Sequence, residues 1–244
     1  MVSAHSNKVM FITGAGKRIG AFLAQAAHDD GYNLVLHYRT SEQQTQALAN
    51  QLNAIRPKSC LCLQADFANK TDFSQQIATI QHYYGRLDVL INNASEFYAT
   101  DLSSLQVKQY DNLFNSNVKG ALFLTTACLP LLKIHRGCII NMVDIHADKP
   151  LKNYPVYSMA KAANKMMVKA LAKELAPKIR VNGIAPGYIK TPIDGQMDKK
   201  IIQRIALKRK GNMQNIYQTV KFILVNDYLT GEIIKIDGGR SLNM

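Results

Sequence analysis

The chain is predicted to fold as a single α/β domain, a doubly wound parallel sheet of about seven strands with helices on both faces. Short β-rich runs alternate with longer amphipathic segments from one end to the other, the rhythm of strand, helix and parallel strand. Hydrophobic residues make up 47% of the 244 positions, enough for a sizeable core and too many for a disordered chain. No internal repeat, low-complexity tract or Pro/Gly/Ser-rich linker divides residues 1–244, so one domain is the economical reading.

The first strand, Lys8 to Ile12, runs into Thr13-Gly14-Ala15-Gly16-Lys17-Arg18-Ile19-Gly20, and a helix from Lys17 to Asp30 follows. Glycines at a strand-to-helix turn let the backbone approach a pyrophosphate, and the helix N-terminus offers unpaired N–H groups and a positive dipole end. An ordinary tight turn has the same composition, but placement in the first βαβ unit, beyond the carboxyl end of a strand, favours the phosphate reading and a Rossmann-type sheet. The second strand, Asn33 to Tyr38, ends in His37-Tyr38-Arg39 with no acid until Glu42. An NAD site places Asp or Glu about 20 residues after the turn to hold the ribose 2′-OH. Here Arg39 can pair a 2′-phosphate instead, which favours NADPH; a solvated surface Arg is the plain alternative.

A helix from Glu42 to Ile55 leads to a strand from Ser59 to Ala65, closed by Asp66, which suits an adenine amino group and equally a helix cap. A helix from Thr71 to Tyr84 and a strand from Leu87 to Ile91 follow. Asn92-Asn93-Ala94 closes that fourth strand, uncharged and able to bond backbone, either lining a cofactor or satisfying its own turn. Next come a long helical stretch from about Leu105 to Lys133 and a strand from Cys138 to Val143, closed by Asp144. Tyr157 and Lys161 stand i, i+4 on the helix predicted from Pro155 to Ala176, so both reach one face, where the ammonium is expected to lower the phenol's pKa. Alone, a Tyr-x-x-x-Lys pair is also what a solvated helix face produces; after this glycine turn the chemical reading is the better one. The chain ends in a strand at Arg180 to Ile184, a polar basic segment, a helix near Ile216 to Val225 and a strand at Glu232 to Ile236.

Thirty Lys and Arg against 17 Asp and Glu leave a net charge of +13, without a long basic run or an arginine-rich tail. That favours anionic ligands and names none. Cys60, Cys62, Cys128 and Cys138 follow no zinc spacing and fall in strand or helix interiors, so they read as buried free thiols suited to a reducing cytosol, and no metal is expected. No stretch approaches the roughly 18 to 20 consecutive apolar residues of a membrane span. The N-terminus runs through Ser3, His5 and Ser6 into a strand. The expected location is cytoplasmic, with neither membrane nor nucleic acid as partner.

In their order these motifs resemble the short-chain dehydrogenase/reductases over almost the whole chain: Thr13 to Gly20, Asp66, Asn92-Asn93-Ala94, Asn117-Val118-Lys119-Gly120, Tyr157-Ser158-Met159-Ala160-Lys161, Pro186-Gly187 and Asp237-Gly238-Gly239. The resemblance implies that Tyr157 is the general acid, that Lys161 binds the nicotinamide ribose and tunes Tyr157, that Asn117 holds a water for proton relay, and that Thr191 meets the nicotinamide amide. It implies a cofactor surface of Gly14, Lys17, Arg18, Ile19, Gly20, His37, Tyr38, Arg39, Asp66, Asn93, Ala94, Pro186 and Gly187. The family usually has Gly where Arg18 and Ser95 stand and Ser where Asp144 stands. These three changes resemble the pteridine reductase branch, dihydromonapterin reductases included, in which Phe97 would stack on a pterin opposite the nicotinamide while Ser95 and Arg18 touch the pterin and the cofactor phosphates. A packed loop aromatic is the plain reading of Phe97.

The expectation is NADPH-dependent reduction of a dihydropterin or dihydrofolate to the tetrahydro form, by hydride transfer to a C=N bond. Such a reduction needs a proton delivered to nitrogen, and a carboxyl with a raised pKa can feed Tyr157 where a Ser hydroxyl would suit a ketone. The nearest rival is a ketone reductase, such as a 3-oxoacyl-thioester reductase, on the same fold. A non-catalytic nucleic-acid-binding or regulatory protein is the rival of another class, and the complete set of Asn117, Tyr157 and Lys161 speaks against it. The resemblance also implies a homotetramer pairing the two long helices, where exposed Leu122, Leu124, Met166 and Met167 would need such a cover, with burial within the monomer the simpler alternative for each. It implies a substrate lid at Tyr188 to Gly211, where seven Lys or Arg stand against two Asp. That charge reads as a solvated helix face or as an attractor of pterins with anionic tails.

Overall fold

β1 (Val9–Ile12) pairs in parallel with β2 (Asn33–Tyr38) on one side and β4 (Val89–Asn92) on the other, so the chain order reverses about this strand. The computed structural model describes residues 7–67, 71–189 and 199–243. Among them the sheet continues through β3 (Cys60–Gln64), β5 (Cys138–Met142), β6 (Arg180–Pro186) and β7 (Ile233–Ile236), in the order β3-β2-β1-β4-β5-β6-β7. A parallel sheet must be covered on both faces, and the crossovers do this. Helices α1 (Arg18–Asp29) and α2 (Glu42–Ile55) cover one face together with α8 (Met213–Val225), against Met10 and Ile12. Helices α3 (Ser74–Tyr84), α5 (Gly120–Ile134) and α6 (Pro155–Leu175) cover the other, against Val9 and Phe11. The alternation of β1 residues between the two cores is the two-residue period of a strand at work. Reversal of order at β1 opens a crevice beyond its carboxyl end, where such sheets bind ligands.

Local chemistry moves several element ends from where periodicity alone puts them. The third helix begins at Ser74 rather than Thr71, where the Asp72 carboxylate accepts the Ser74 N–H at 2.8 Å, and Gly85 closes it in the left-handed region at φ 69°. The last helix begins at Met213, with Asn212 and Asn215 each accepting the other's backbone N–H at 3.0 Å. The basic segment contains a short helix, α7 (Lys199–Arg204). The helix expected from Leu105 to Lys133 spans Val107–Ile134, but α4 (Val107–Phe114) and α5 are joined through one π turn at Asn115–Lys119. By length and composition this 28-residue stretch could cross a bilayer; here Leu113, Leu124, Cys128, Leu131 and Leu132 spend its apolarity on the protein core.

Two of the four apolar residues expected on an open face belong to the interior. Leu124 is fully buried and Met167 nearly so, whereas Leu122 and Met166 are 36% and 63% exposed. Successive helix residues are turned about 100° apart, so adjacent positions part between core and surface. Truncating Leu124 to Ala is expected to cost about 2–5 kcal/mol in urea unfolding, and truncating Leu122 less than about 1 kcal/mol.

Candidate active site

A groove of about 680 Å³ lies beyond the carboxyl ends of the central strands. Its first wall is the glycine turn. Gly14 takes φ 64°, and a Cβ on Gly20 would lie 2.1 Å from the Gly14 carbonyl oxygen, so helix and turn can approach this closely only without a side chain there. Thr13 and Asn93 hold the turn to β4. The Thr13 hydroxyl accepts the Asn93 and Ala94 N–H groups at 2.8 and 2.9 Å, and Asn93 Nδ2 donates to the Thr13 and Gly14 carbonyls at 2.8 and 3.2 Å. His37 fastens the other side. Its Nδ1 accepts the Gly14 N–H at 3.2 Å, so the proton sits on Nε2, which donates to the Ala65 carbonyl at 2.9 Å. Burial, including a parallel stack on Phe67, pushes its pKa down to about 4 and keeps the ring neutral.

Arg18 opens α1 with φ 52°, left-handed backbone that a non-glycine residue adopts at a cost of about 1–2 kcal/mol. Arg18 lines the groove, as do Lys17 and Ile19. Arg39, Asp66, Asn93, Ala94, Ser95, Pro186 and Gly187 also line it, as do His37, Gly14 and Gly20. Tyr38 does not: it is buried, and its hydroxyl donates to Glu42 at 3.2 Å, because alternation along β2 turns it away from the face that His37 and Arg39 share. Thr191 lies outside the described residues, as does the lid from 190 to 198; Tyr188, Ile189 and Ile201 from its two ends line the groove.

The reacting end is built on β5 and α6. Asp144 divides its carboxylate between two donors. One oxygen caps a 3-10 turn by accepting the His146 N–H at 2.8 Å, and the other accepts the Tyr157 hydroxyl at 2.7 Å. Lys161 reaches the same face of α6, but its ammonium lies 5.7 Å from the centre of the Tyr157 ring and donates to the Met142 carbonyl at 2.9 Å. This reverses the expectation that lysine lowers the phenol's pKa. Burial and the Asp144 charge and hydrogen bond push the Tyr157 pKa up, since each disfavours a phenolate, and burial pulls Lys161 down to about 8 against the pull of Asp144. Tyr157 is held as the protonated acid.

Asn117 sits in the π turn, buried behind the groove rather than lining it. Its Nδ2 donates to the Glu96 and Leu113 carbonyls at 3.0 and 2.9 Å, and its own carbonyl accepts Asn164 Nδ2 at 2.6 Å. The carbonyl accepts this one side chain, and the buried Oδ1 is without a protein partner. Asn164 in turn accepts from Asn141, which accepts from Asn92, a row of buried amides from α6 to β4.

Asn164, Tyr154 and Arg240 escaped the sequence reading; the last two line the groove and Asn164 is buried behind it. Asn164 follows Lys161 by three on the same helix face, a spacing that could have exposed it. Tyr154, just ahead of Pro155, stacks on Phe97 with ring centres 4.6 Å apart and 7° between planes, while Phe97 meets Tyr157 edge-on at 4.8 Å. Phe97 remains 54% exposed. Arg240 arrives from the last loop, where Asp237 accepts the Gly239 and Ser241 N–H groups at 2.9 and 2.8 Å and folds the chain back over the groove. Burial lowers its pKa and the Asp144 charge raises it, so the two groups share one electrostatic environment. Only the fold brings Arg240 into the groove that Asp144 lines.

A bare glycine turn at the switch of strand order, in one groove with a buried tyrosine, places the site where open parallel sheets bind nucleotides, as dinucleotide-dependent oxidoreductases do. The chain belongs to the short-chain dehydrogenase family, which it matches over residues 8–201 and whose members use NAD(P)H. Pteridine reductase 1 of Leishmania tarentolae is 35% identical over 287 aligned residues, covering 99% of each chain. An uncharacterized oxidoreductase of Methylorubrum extorquens is 32% identical over 98% of this chain and 99% of its own. The 3-oxoacyl-[acyl-carrier-protein] reductase of Staphylococcus epidermidis is 29% identical, covering 96% of this chain and 98% of its own.

Arg18→Gly is expected to raise stability by about 0.5–1 kcal/mol in thermal unfolding, as the strained backbone relaxes, while weakening ADP binding by calorimetry. The depressed pKa of Lys161 has its own signature. Between about pH 8 and the unfolded value of 10.5 the unfolded chain binds more protons at this residue than the native one, so its contribution to stability rises with pH. The stability difference between Lys161→Met and wild type should therefore shift in favour of wild type from pH 8 to 10 in urea unfolding.

Proposed function

We propose that this oxidoreductase is an NADPH-dependent pterin reductase, taking a dihydropterin or dihydrofolate to the tetrahydro form. The observation that carries the reading is the 2.7 Å hydrogen bond from the Tyr157 hydroxyl to Asp144, a carboxylate in place of the family's usual hydroxyl. The residues present suit the cofactor: the side-chain-free contact of Gly20 with Gly14 leaves a cradle for the pyrophosphate, and Arg18 and Arg39 offer cations to phosphate. When bound, NADPH supplies the hydride to the ring carbon of the C=N bond. The chain's own part is the proton.

Tyr157, its pKa pushed up, keeps its proton until a ring nitrogen of the substrate accepts it. Asp144, within one hydrogen bond of the phenol oxygen and lining the groove, can return a proton to it from solvent. Lys161, tied to the Met142 carbonyl, stands where it can hold a ribose hydroxyl and balance charge on the phenol oxygen as the proton leaves. Phe97 and Tyr154 form an aromatic wall at the edge of Tyr157, a surface on which a flat heterocycle gains by stacking. The pteridine reductase of Leishmania tarentolae adds likeness over its full length. A homotetramer fits the exposed Leu122, Phe123 and Met166 on the two long helices.

Oxidation of NADPH on addition of dihydrobiopterin, dihydromonapterin, dihydrofolate or a 3-oxoacyl thioester tests the reading. Turnover with the pterins and not the thioester is the expected result; turnover with the thioester alone would replace it with ketone reduction. Tyr157→Phe should lower pterin turnover about 10²- to 10⁴-fold while NADPH binding, followed by nucleotide fluorescence, stays within about twofold.

A further inference from the structure

Arg39 is not idle without a ligand. Its guanidinium lies 2.5 Å from the Glu96 carboxylate, with the two side chains 42% and 24% exposed. Arg39 follows β2 by one residue and Glu96 follows β4 by four, and these strands flank β1. The ion pair therefore ties the two sides of the groove together across the end of β1, where the glycine turn lies. On the Glu96 side the tie is anchored at both ends. The Glu96 carbonyl accepts Asn117 Nδ2 at 3.0 Å, and the next residue, Phe97, packs on Tyr154 and Tyr157.

We infer that Glu96 is a resident anion on the 2′-phosphate subsite, a latch that the 2′-phosphate of the cofactor must displace to reach Arg39. The inference rests on the NADPH reading and deepens it. A carboxylate and a phosphate monoester compete for one planar cation, because both present oxygens that the guanidinium fork can bind. A nucleotide without the 2′-phosphate offers Arg39 nothing in exchange and leaves the pair intact. Glu96 thus sets how strongly the groove takes the phosphorylated cofactor, and Arg39 sets that it does. Replacing Glu96 by Gln removes the competing charge and keeps the backbone carbonyl that Asn117 binds.

The test is calorimetric binding of 2′,5′-ADP and of 5′-ADP to wild type, Glu96→Gln, Arg39→Ala and the double variant. Wild type should bind 2′,5′-ADP more tightly than 5′-ADP, and Arg39→Ala should lose the difference. Glu96→Gln should tighten 2′,5′-ADP about two- to fivefold, the worth of a partly exposed ion pair, with 5′-ADP unchanged and a smaller gain when Arg39 is absent. If the 2′-phosphate gives no advantage in wild type or in Glu96→Gln, the NADPH reading and the latch fall together. If wild type shows the advantage through Arg39 but Glu96→Gln leaves it unchanged or weaker, or tightens 2′,5′-ADP equally without Arg39, the latch alone is overturned.

Discussion

The hold of Thr13 and Asn93 on the glycine turn is the constraint from which the rest of the site follows. A turn that must approach a ligand with bare backbone cannot stabilise itself with side chains, so its carbonyl and N–H groups need partners from elsewhere. Asn93 and neutral His37 supply them from the ends of β4 and β2, and the Thr13 hydroxyl at the end of β1 in turn accepts the Asn93 and Ala94 N–H groups. Because these three strands are neighbours at the point where chain order reverses, one set of hydrogen bonds shapes the cradle and fixes where β2 and β4 release their loops. Arg39, Ser95, Glu96 and Phe97 all stand on those loops, so their positions are inherited from the turn.

A second polar structure supports the reacting end. The row Asn92, Asn141, Asn164 and Asn117 runs through the interior, and burying so many amides is tolerable only where they serve one another. It ties the π turn of the long helix to α6, which carries Tyr157 and Lys161. The Tyr157 hydroxyl itself bonds Asp144 at the groove. Buried acid, half-buried carboxylate and buried lysine meet at this end of the groove. Burial first and the Asp144 charge second raise the phenol's pKa, and the same charge favours the lysine's protonated form against the burial that lowers it.

Departures from the usual family pattern converge on the groove. Arg18 takes up a backbone conformation suited to glycine, at a local cost, and lines the groove. Asp144 replaces a hydroxyl with a group that can cap a turn and bind the phenol at once. Arg240, folded back by Asp237, adds a cation to the same groove. The likeness to a pteridine reductase and to an oxoacyl reductase at similar identity leaves chemistry at these positions as the discriminating feature.

Strand and helix succession, the glycine turn, the Tyr157–Lys161 pair and the closing Asp144 could all be read from the chain, because each is a local pattern: a period, a spacing or a residue at a strand end. Those patterns specify the sheet and the ends of its strands, where function collects. They could not say that Tyr38 turns to Glu42, that Leu124 and Met167 face inward, or that Lys161 bonds Met142 and leaves the phenol's pKa to burial and Asp144. Direction of a side chain and the sign of a pKa shift depend on what lies across the fold, and sequence distance carries no record of that. Asn164 on Asn117, Tyr154 on Phe97, Arg240 near Asp144 and Glu96 on Arg39 are pairs brought together by folding, separated by 47 and 57 residues in the first and last cases. Their energies exist only once water has been excluded between them, which is why packing rather than pattern decided the electrostatics of the site.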